Sequence, residues 1–402
     1  MPTISHDCAP GPNPESAPDP EPSAMTPHDA IDRLRLARTE GVGPTAYGRL
    51  ITRFRSAGAA LRALPGLPRA TSLIIPSEEA IRTEMEALDR FGGRMIFLGA
   101  PDYPAALAAT ADPPPVLSVL GDIGLLSRRC IAMVGGRNAS INGRTIAGDL
   151  SRTLASAGLV VVSGLARGID TAAHIGAMET GLTIAVVAGG LDCPYPRENI
   201  RLQSVIAKRG AVISELPLGT APIARHFPRR NRIIAGLSEG VILVEAALQS
   251  GSLITARCAL EAGREIFAVP GSPLDPRCRG SNDLLRQGAW VTETAEDVLN
   301  NLPVTSRTTS TATQTPDLFL SSSAPAPSAK QKPGGAFTVS ETNGLKEKIL
   351  LLLGPEPVAV DDLIRRCQLS PSEVVAALLE MELSAHVVSL PGNRVARLAG
   401  AS

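Results

Sequence analysis

Four arginines crowd around one phenylalanine in the stretch ARHFPRRNRIIAGLS, residues 224–238, and no acidic residue lies between Glu215 and Glu239 to offset them. A guanidinium grips a phosphate through a planar fork of donors, and an aromatic ring offers a base a flat surface. Arg225, Arg229, Arg230 and Arg232 around Phe227, with Asn231 among them, therefore suit a single strand of nucleic acid, which needs a basic path beside a stacking surface. Periodicity alone equally allows Phe227 to be core, because the apolar run Ile233-Ile234-Ala235 follows. The chain as a whole has no net charge, with 39 basic and 39 acidic residues, so the cluster is a local feature and not part of a generally basic surface. Only 3% of residues are aromatic, which gives weight to any ring outside the core.

Such residues need a scaffold, and the middle of the chain supplies one. Short β-branched runs recur at Cys130-Ile131-Ala132-Met133-Val134, Leu159-Val160-Val161-Val162, Thr183-Ile184-Ala185-Val186-Val187, Ala211-Val212-Ile213, Val241-Ile242-Leu243-Val244 and Glu265-Ile266-Phe267-Ala268-Val269. Their unbroken apolar character is that of parallel strands buried on both faces. Helical stretches near 143–156, 171–179 and 253–262 separate them, and a short strand at 289–292 and a helix ending near Leu302 close the unit. The alternation predicts an α/β fold with a Rossmann-like doubly wound parallel sheet.

In such a sheet ligands bind beyond the carboxyl ends of the strands. The segments there read VGGRNASING, SGLARGID, AGGLDCPYP and EAALQSGSL, rich in glycine and serine, with Arg137 and Arg167 inside two of them. Backbone amides at tight turns, followed by helix N-termini, favour an anion, and together the loops describe a phosphate-binding rim. The loop Gly135-Gly136-Arg137-Asn138-Ala139-Ser140 does not spell GxGxxG, and Ser163-Gly164 stands where a dinucleotide site carries a ribose-binding carboxylate. GxxxxGK[ST] is absent too, so neither a nicotinamide cofactor nor a P-loop nucleotide is expected. No nucleophile and base stand at convincing spacing; His174 reads as a packing or capping residue, and Asp170 and Asp192 as caps or hydrogen-bond acceptors. The enzymatic alternative is a nucleotide or nucleoside-phosphate hydrolase on the same rim with Glu245 as base, which rests on fold analogy alone.

Composition sets the outer organisation. Residues 1–24 are Pro-rich and polar, as in a disordered tail; 25–68 form a small helical module, a helix-hairpin-helix or SAM-like unit interrupted by Gly41-Val42-Gly43-Pro44; 69–92 connect it to the 93–302 sheet domain. A flexible linker occupies 303–343, and 344–400 follow a winged-helix pattern of three helices and a strand pair across Pro391-Gly392-Asn393. Few basic residues mark its third helix, which favours a protein-interaction module over a DNA reader; a scaffold built around this module is a further alternative. Six scattered cysteines without a CxxC pair suggest a reducing compartment and no structural metal. With no signal-peptide pattern and no run long enough to span a bilayer, a cytoplasmic location is expected.

The segments VGGRNASINGR, VSGLARGIDTAAHIGA, TIAVVAGGLDCPYPREN, ISELPLGTAPIARHFPRRNRIIAGLSEGVILVEAALQSGSLITARCALEAGREIFAVPGS and GSNDLLRQGA closely resemble the DprA (Smf) family of DNA-processing proteins, from about Phe97 to Leu302. The resemblance implies a non-enzymatic role: binding and protecting single-stranded DNA, loading the recombinase RecA onto it in natural transformation, overcoming single-strand-binding protein, and dimerising through the Rossmann domain. It implies no cofactor. Carried onto this sequence, it implies DNA contacts at Gly136, Arg137 and Ser140 after the first strand, and at Ser163, Gly164 and Arg167 after the second. It places Phe227 against a base beside Arg225, Arg229, Arg230, Asn231 and Arg232, with small polar contacts from Ser250, Gly251 and Ser252. Two departures stand out. Gly136 replaces the serine of the usual VGSR, at a loss of order 1 kcal/mol for one hydrogen bond. Ala224 stands where some members carry lysine, a contact that Arg225 can supply.

Overall fold

In a computed structural model of the chain, the described residues are 25–66, 74–303, 358–367, 386–390 and 394–397, with isolated positions among 349–384. The tail expected at 1–24 and most of the linker expected at 303–343 lie outside them. Helices α1 (Pro27–Arg38), α2 (Pro44–Phe54) and α3 (Ala57–Ala63) close over Leu36, Tyr47, Leu50 and Leu61. Thr26 and Ser56 cap α1 and α3 through their side chains, satisfying amides that the first turn leaves open. The segment expected to be a plain connector carries a thirteen-residue helix, α4 (Glu78–Arg90), capped by Ser77 with Glu78 and Glu79 in its first turn. Arg33 Nη1 donates to Leu98 O at 2.7 Å, and Arg38 reaches both Glu84 (2.9 Å) and Glu215 O (3.3 Å), so charged side chains fasten this module to the sheet domain.

Nine strands form one sheet: β1 (Arg94–Phe97), β2 (Val116–Gly121), β3 (Cys130–Gly135), β4 (Val160–Ser163), β5 (Thr183–Val186), β6 (Ala211–Ser214), β7 (Gly240–Val244), β8 (Glu265–Ala268) and β9 (Trp290–Val291). Their spatial order is β1-β2-β6-β5-β4-β3-β7-β8-β9. From β6 to β9 every pair is parallel, as the apolar runs predict, whereas β1 and β2 add an antiparallel edge that those runs did not reveal. The edge strand β1 pairs with β2, which in turn covers β6, so both belong to the continuous hydrogen-bonded ladder.

Helices α5 (Ala105–Ala108), α6 (Ile141–Ser156), α7 (Ile169–Thr180), α8 (Ile200–Arg209), α9 (His226–Leu237), α10 (Gly251–Glu261), α11 (Arg279–Arg286) and α12 (Ala295–Asn301) complete the domain. Alternate strand residues divide between the two faces. Ala132, Val134, Val162 and Leu243 meet Leu107 of α5, Ile233 and Ile234 of α9 and Ala256 of α10; Ile131, Met133, Val161 and Ile242 meet α6, α7 and α12. The C-terminal module shows a three-stranded sheet, β10 (Val358–Ala359), β12 (Arg394–Arg397) and β11 (Val387–Leu390), beside helix α13 (Val360–Cys367). The first and third helices expected there lie largely outside the described residues.

The closest helix pair on the second face, α6 and α7, touches backbone to backbone. A Cβ at Gly176 would collide with the Gly148 carbonyl, so no larger residue fits without parting the helices. Gly176→Val is expected to lower stability by about 1–3 kcal/mol, read as an earlier urea midpoint, because overpacking strains both backbones.

Candidate nucleic-acid interface

Strand order reverses beside β3, which continues to β4 on one side and meets β7 on the other. Connections leave such a point in opposite directions and open a crevice beyond the carboxyl ends of the strands. A cavity of about 840 Å³ lies there, lined by Gly136 and Arg137 after β3, Ala166 after β4, Tyr195 after β5 and Glu245, Ser250 and Ser252 after β7. A further wall is one face of α9, where Phe227, Arg230, Asn231 and Ile234 fall at the spacing i, i+3, i+4, i+7.

The arginines separate according to that spacing. Arg230 is buried, its Nη1 donating to Val186 O at 2.6 Å, and its guanidinium lies where a Cβ on Gly164 would stand, so this approach requires glycine. Arg232, two positions on, points away from the cavity; its Nη2 is 2.6 Å from Glu215 Oε1, its Nε is 3.4 Å from Asp112 Oδ2, and Nη1 donates to the Asp112 carbonyl. The acids missing from the local sequence thus arrive from elsewhere in the fold. Arg225 and Arg229 are exposed outside the cavity lining. Arg137 is exposed at the rim with its guanidinium carbon 5.2 Å from the centre of the Phe227 ring, a cation–π contact, and the Tyr195 ring meets Phe227 edge to face at 5.6 Å. Phe227 is therefore at the site and only partly buried.

The small residues also separate. Asn231 Nδ2 donates to Gly251 O at 3.2 Å, joining α9 to the start of α10, where Ser250 is the N-cap and Ser250 Oγ lies 2.6 Å from Ser252 Oγ. Ser250, Gly251 and Ser252 all line the cavity, as does Gly136. Ser140, Ser163, Gly164 and Arg167 do not. The Ser163 hydroxyl is buried and donates to Met133 O at 2.6 Å, and the Gly164 amide donates to Asp170 Oδ2 at 3.1 Å. Arg167 is exposed, 3.7 Å from Glu198. Ser140 caps α6, its hydroxyl accepting from Gly143 N at 2.9 Å. Its amide and hydroxyl also donate to the two oxygens of Glu245, the amide at 2.7 Å. Glu245 holds a left-handed backbone (φ 50°), uncommon for a residue with a side chain, and each oxygen of its carboxylate accepts one hydrogen bond from Ser140 at the N-terminus of α6, which ties it to the fold at the edge of the cavity it lines. Sequence reasoning missed Tyr195, Asn138, Gln249 and Arg277 as lining residues; for Tyr195 the available signal was an aromatic inside a strand-end loop.

Beneath the cavity sit three buried ionisable groups. Burial pushes the Asp170 carboxyl up, opposed by the Arg230 charge, and pushes Arg230 itself down to about 10 despite the Asp170 counter-charge. His174 donates or accepts through Nδ1 at 2.7 Å from Thr183 Oγ1, and burial, aided by Arg230, lowers its pKa to about 3. Among the described residues no cluster of three or more His, Cys, Asp or Glu is placed to hold a metal ion, and no helix is long and apolar enough to cross a membrane. Below about pH 6.5 the unfolded chain binds a proton at His174 that the folded chain refuses until about pH 3, so acidification through that window removes stability. Urea melts are expected to show this as a loss of up to about 1.4 kcal/mol per pH unit that the His174→Gln variant lacks; equal slopes for the two proteins rule it out.

Comparison with known proteins agrees with this architecture. Residues 94–303 match the family described as DNA recombination-mediator protein A, with the DprA-like N-terminal HHH domain matched over 27–87 and the DprA winged helix domain over 325–393. Protein Smf of Escherichia coli (strain K12) is 40% identical over 298 residues, spanning 73% of this chain and 74% of that protein. DNA processing protein DprA of Bacillus subtilis (strain 168) is 47% identical over 214 residues, 53% of this chain and 72% of the relative. The X-ray structure of DNA processing protein A (DprA) from Streptococcus pneumoniae superposes with a TM-score of 0.55 at 34% identity, covering 69% of this chain and 94% of that one. With the sheet domain and both flanking modules matched in order, the chain belongs to the DNA recombination-mediator protein A family.

Proposed function

We propose that the chain binds single-stranded DNA across the switch-point cavity and, without chemistry of its own, protects it and loads RecA onto it in recombination and transformation. The observation that carries this reading is the Arg137 guanidinium over the Phe227 ring at the cavity rim, 5.2 Å from its centre, which sets a phosphate ligand and a base surface side by side. Gly136, Ser250, Gly251 and Ser252 line the same cavity, where their amides and hydroxyls suit phosphate oxygens. Arg230 supplies positive potential from below, and the exposed Arg225, Arg229 and Arg167 extend the basic path outward. Arg232 belongs to the frame of the site and not to its surface.

The partners that go with this reading are RecA, single-strand-binding protein and a second copy of the chain joined through the sheet domain, with the winged helix serving protein contacts and the cytoplasm as the place of action. The engagement of both Glu245 oxygens by Ser140 supports binding over hydrolysis.

Fluorescence anisotropy with a short labelled oligonucleotide tests the core of the proposal. Affinity is expected to fall steeply with salt and to vary little with base sequence, and absence of binding at low salt overturns the reading. Arg137→Ala is expected to weaken binding about tenfold and to reduce the salt slope by about one. Arg232→Ala is expected instead to leave affinity near wild type and to lower the thermal midpoint by several degrees, since breaking a largely buried pair costs about 3 kcal/mol.

A further inference from the structure

Three aromatic side chains among the described residues are exposed, Phe91, Tyr195 and Trp290, and of these Tyr195 alone lines the cavity. The residue is 43% exposed, and its ring stands at 68° to that of Phe227 with the centroids 5.6 Å apart, so the two rings form a corner and not a stack. Phe227 is only partly buried but already carries the Arg137 guanidinium over its ring, whereas Tyr195 keeps the more open surface. A flat heterocycle entering the corner can lie against one ring and present its edge to the other, the two arrangements that aromatic quadrupoles favour.

The loop that carries Tyr195 is held on both sides. Gln203 Nε2 donates to Leu191 O at 2.8 Å, the Asp192 carboxylate accepts the Gly219 amide at 2.8 Å, and Asn199 Nδ2 donates to Leu165 O at 2.9 Å and to Thr171 Oγ1 at 2.8 Å. An exposed ring on an anchored loop is positioned before any ligand arrives, which spares the ligand the cost of ordering it. We propose that Tyr195 is a second base-stacking residue of the site, gripping through its ring the nucleobase whose neighbouring phosphate Arg137 receives. This inference rests on the single-stranded DNA reading and adds to it a residue that supplies stacking without charge.

The test uses the full-length chain and a short labelled oligothymidylate, with a second oligonucleotide in which the bases are replaced by abasic sites. Tyr195→Ala is expected to weaken binding about tenfold at every salt concentration while leaving the salt slope as in wild type, because a stacking contact releases no counterions. Tyr195→Phe is expected to bind as wild type does, and the abasic strand to bind wild type and Tyr195→Ala alike. Tyr195→Leu keeps the bulk without a π face and serves should the alanine variant melt early; it is expected to show the same loss. Wild-type affinity in both the alanine and leucine variants, or an equal additional loss on the abasic strand, overturns the assignment. Failure of the wild-type chain to bind either strand at low salt overturns the underlying reading and this inference with it.

Discussion

A charged guanidinium inside the protein fixes the geometry of this site. Arg230 is buried beneath the switch-point crevice, bound to the end of β5 through Val186 O and balanced by the buried Asp170 at the start of α7. Burying such a charge without a hydrogen bond and a counter-charge would cost several kcal/mol, so these partners must be in place whenever the domain is folded. They also lock the rotation of α9. With Arg230 pointing inward, the helical repeat turns Phe227, Asn231 and Ile234 to the cavity and Arg232 to Glu215 and Asp112.

That constraint explains why a neutral chain gathers arginines here. The four meet three environments: Arg230 the interior, Arg232 two acids on the far side, Arg225 and Arg229 solvent at the helix N-terminal end. Two of them are structural cations, and the residue that meets the Phe227 ring, Arg137, comes from another loop. The positive field at the crevice is therefore assembled from several strands of the sheet, which is what a ligand that runs past the strand ends requires.

Much of this was legible in the sequence. The β-branched runs between Cys130 and Val269 become parallel strands, and the loops with Gly136, Arg137 and Ser250 converge on one crevice because parallel strands send all their carboxyl ends to one edge. The antiparallel pair β1 and β2 escaped because Arg94–Phe97 opens on a charged residue and Val116–Gly121 carries Ser118 within its apolar run, and both lie ahead of the regular strand-helix alternation that begins at Cys130. The helix α4 was hidden in a segment rich in charge, where its capping serine, acidic first turn and the helical spacing of Ile81, Met85 and Leu88 were the marks. Ser140 and Ser163 look like ligand contacts in a loop motif and prove to be hydrogen-bonded within the fold, since a strand-end hydroxyl satisfies whichever polar group is nearest.

The amino-acid sequence by itself determined the order of the strands along the chain, the glycine-rich turns that end them and the family to which the chain belongs, because these depend on local propensity and on patterns of neighbouring residues. Only the tertiary structure decided which cations face the cavity. The partners that settle the matter, Glu215 and Asp112 for Arg232, Asp170 and Val186 for Arg230, and Phe227 for Arg137, lie on other elements of the sheet domain. Electrostatic and aromatic contacts act through distance in space, so the ARHFPRRNR segment acquires its two faces only when the sheet is complete.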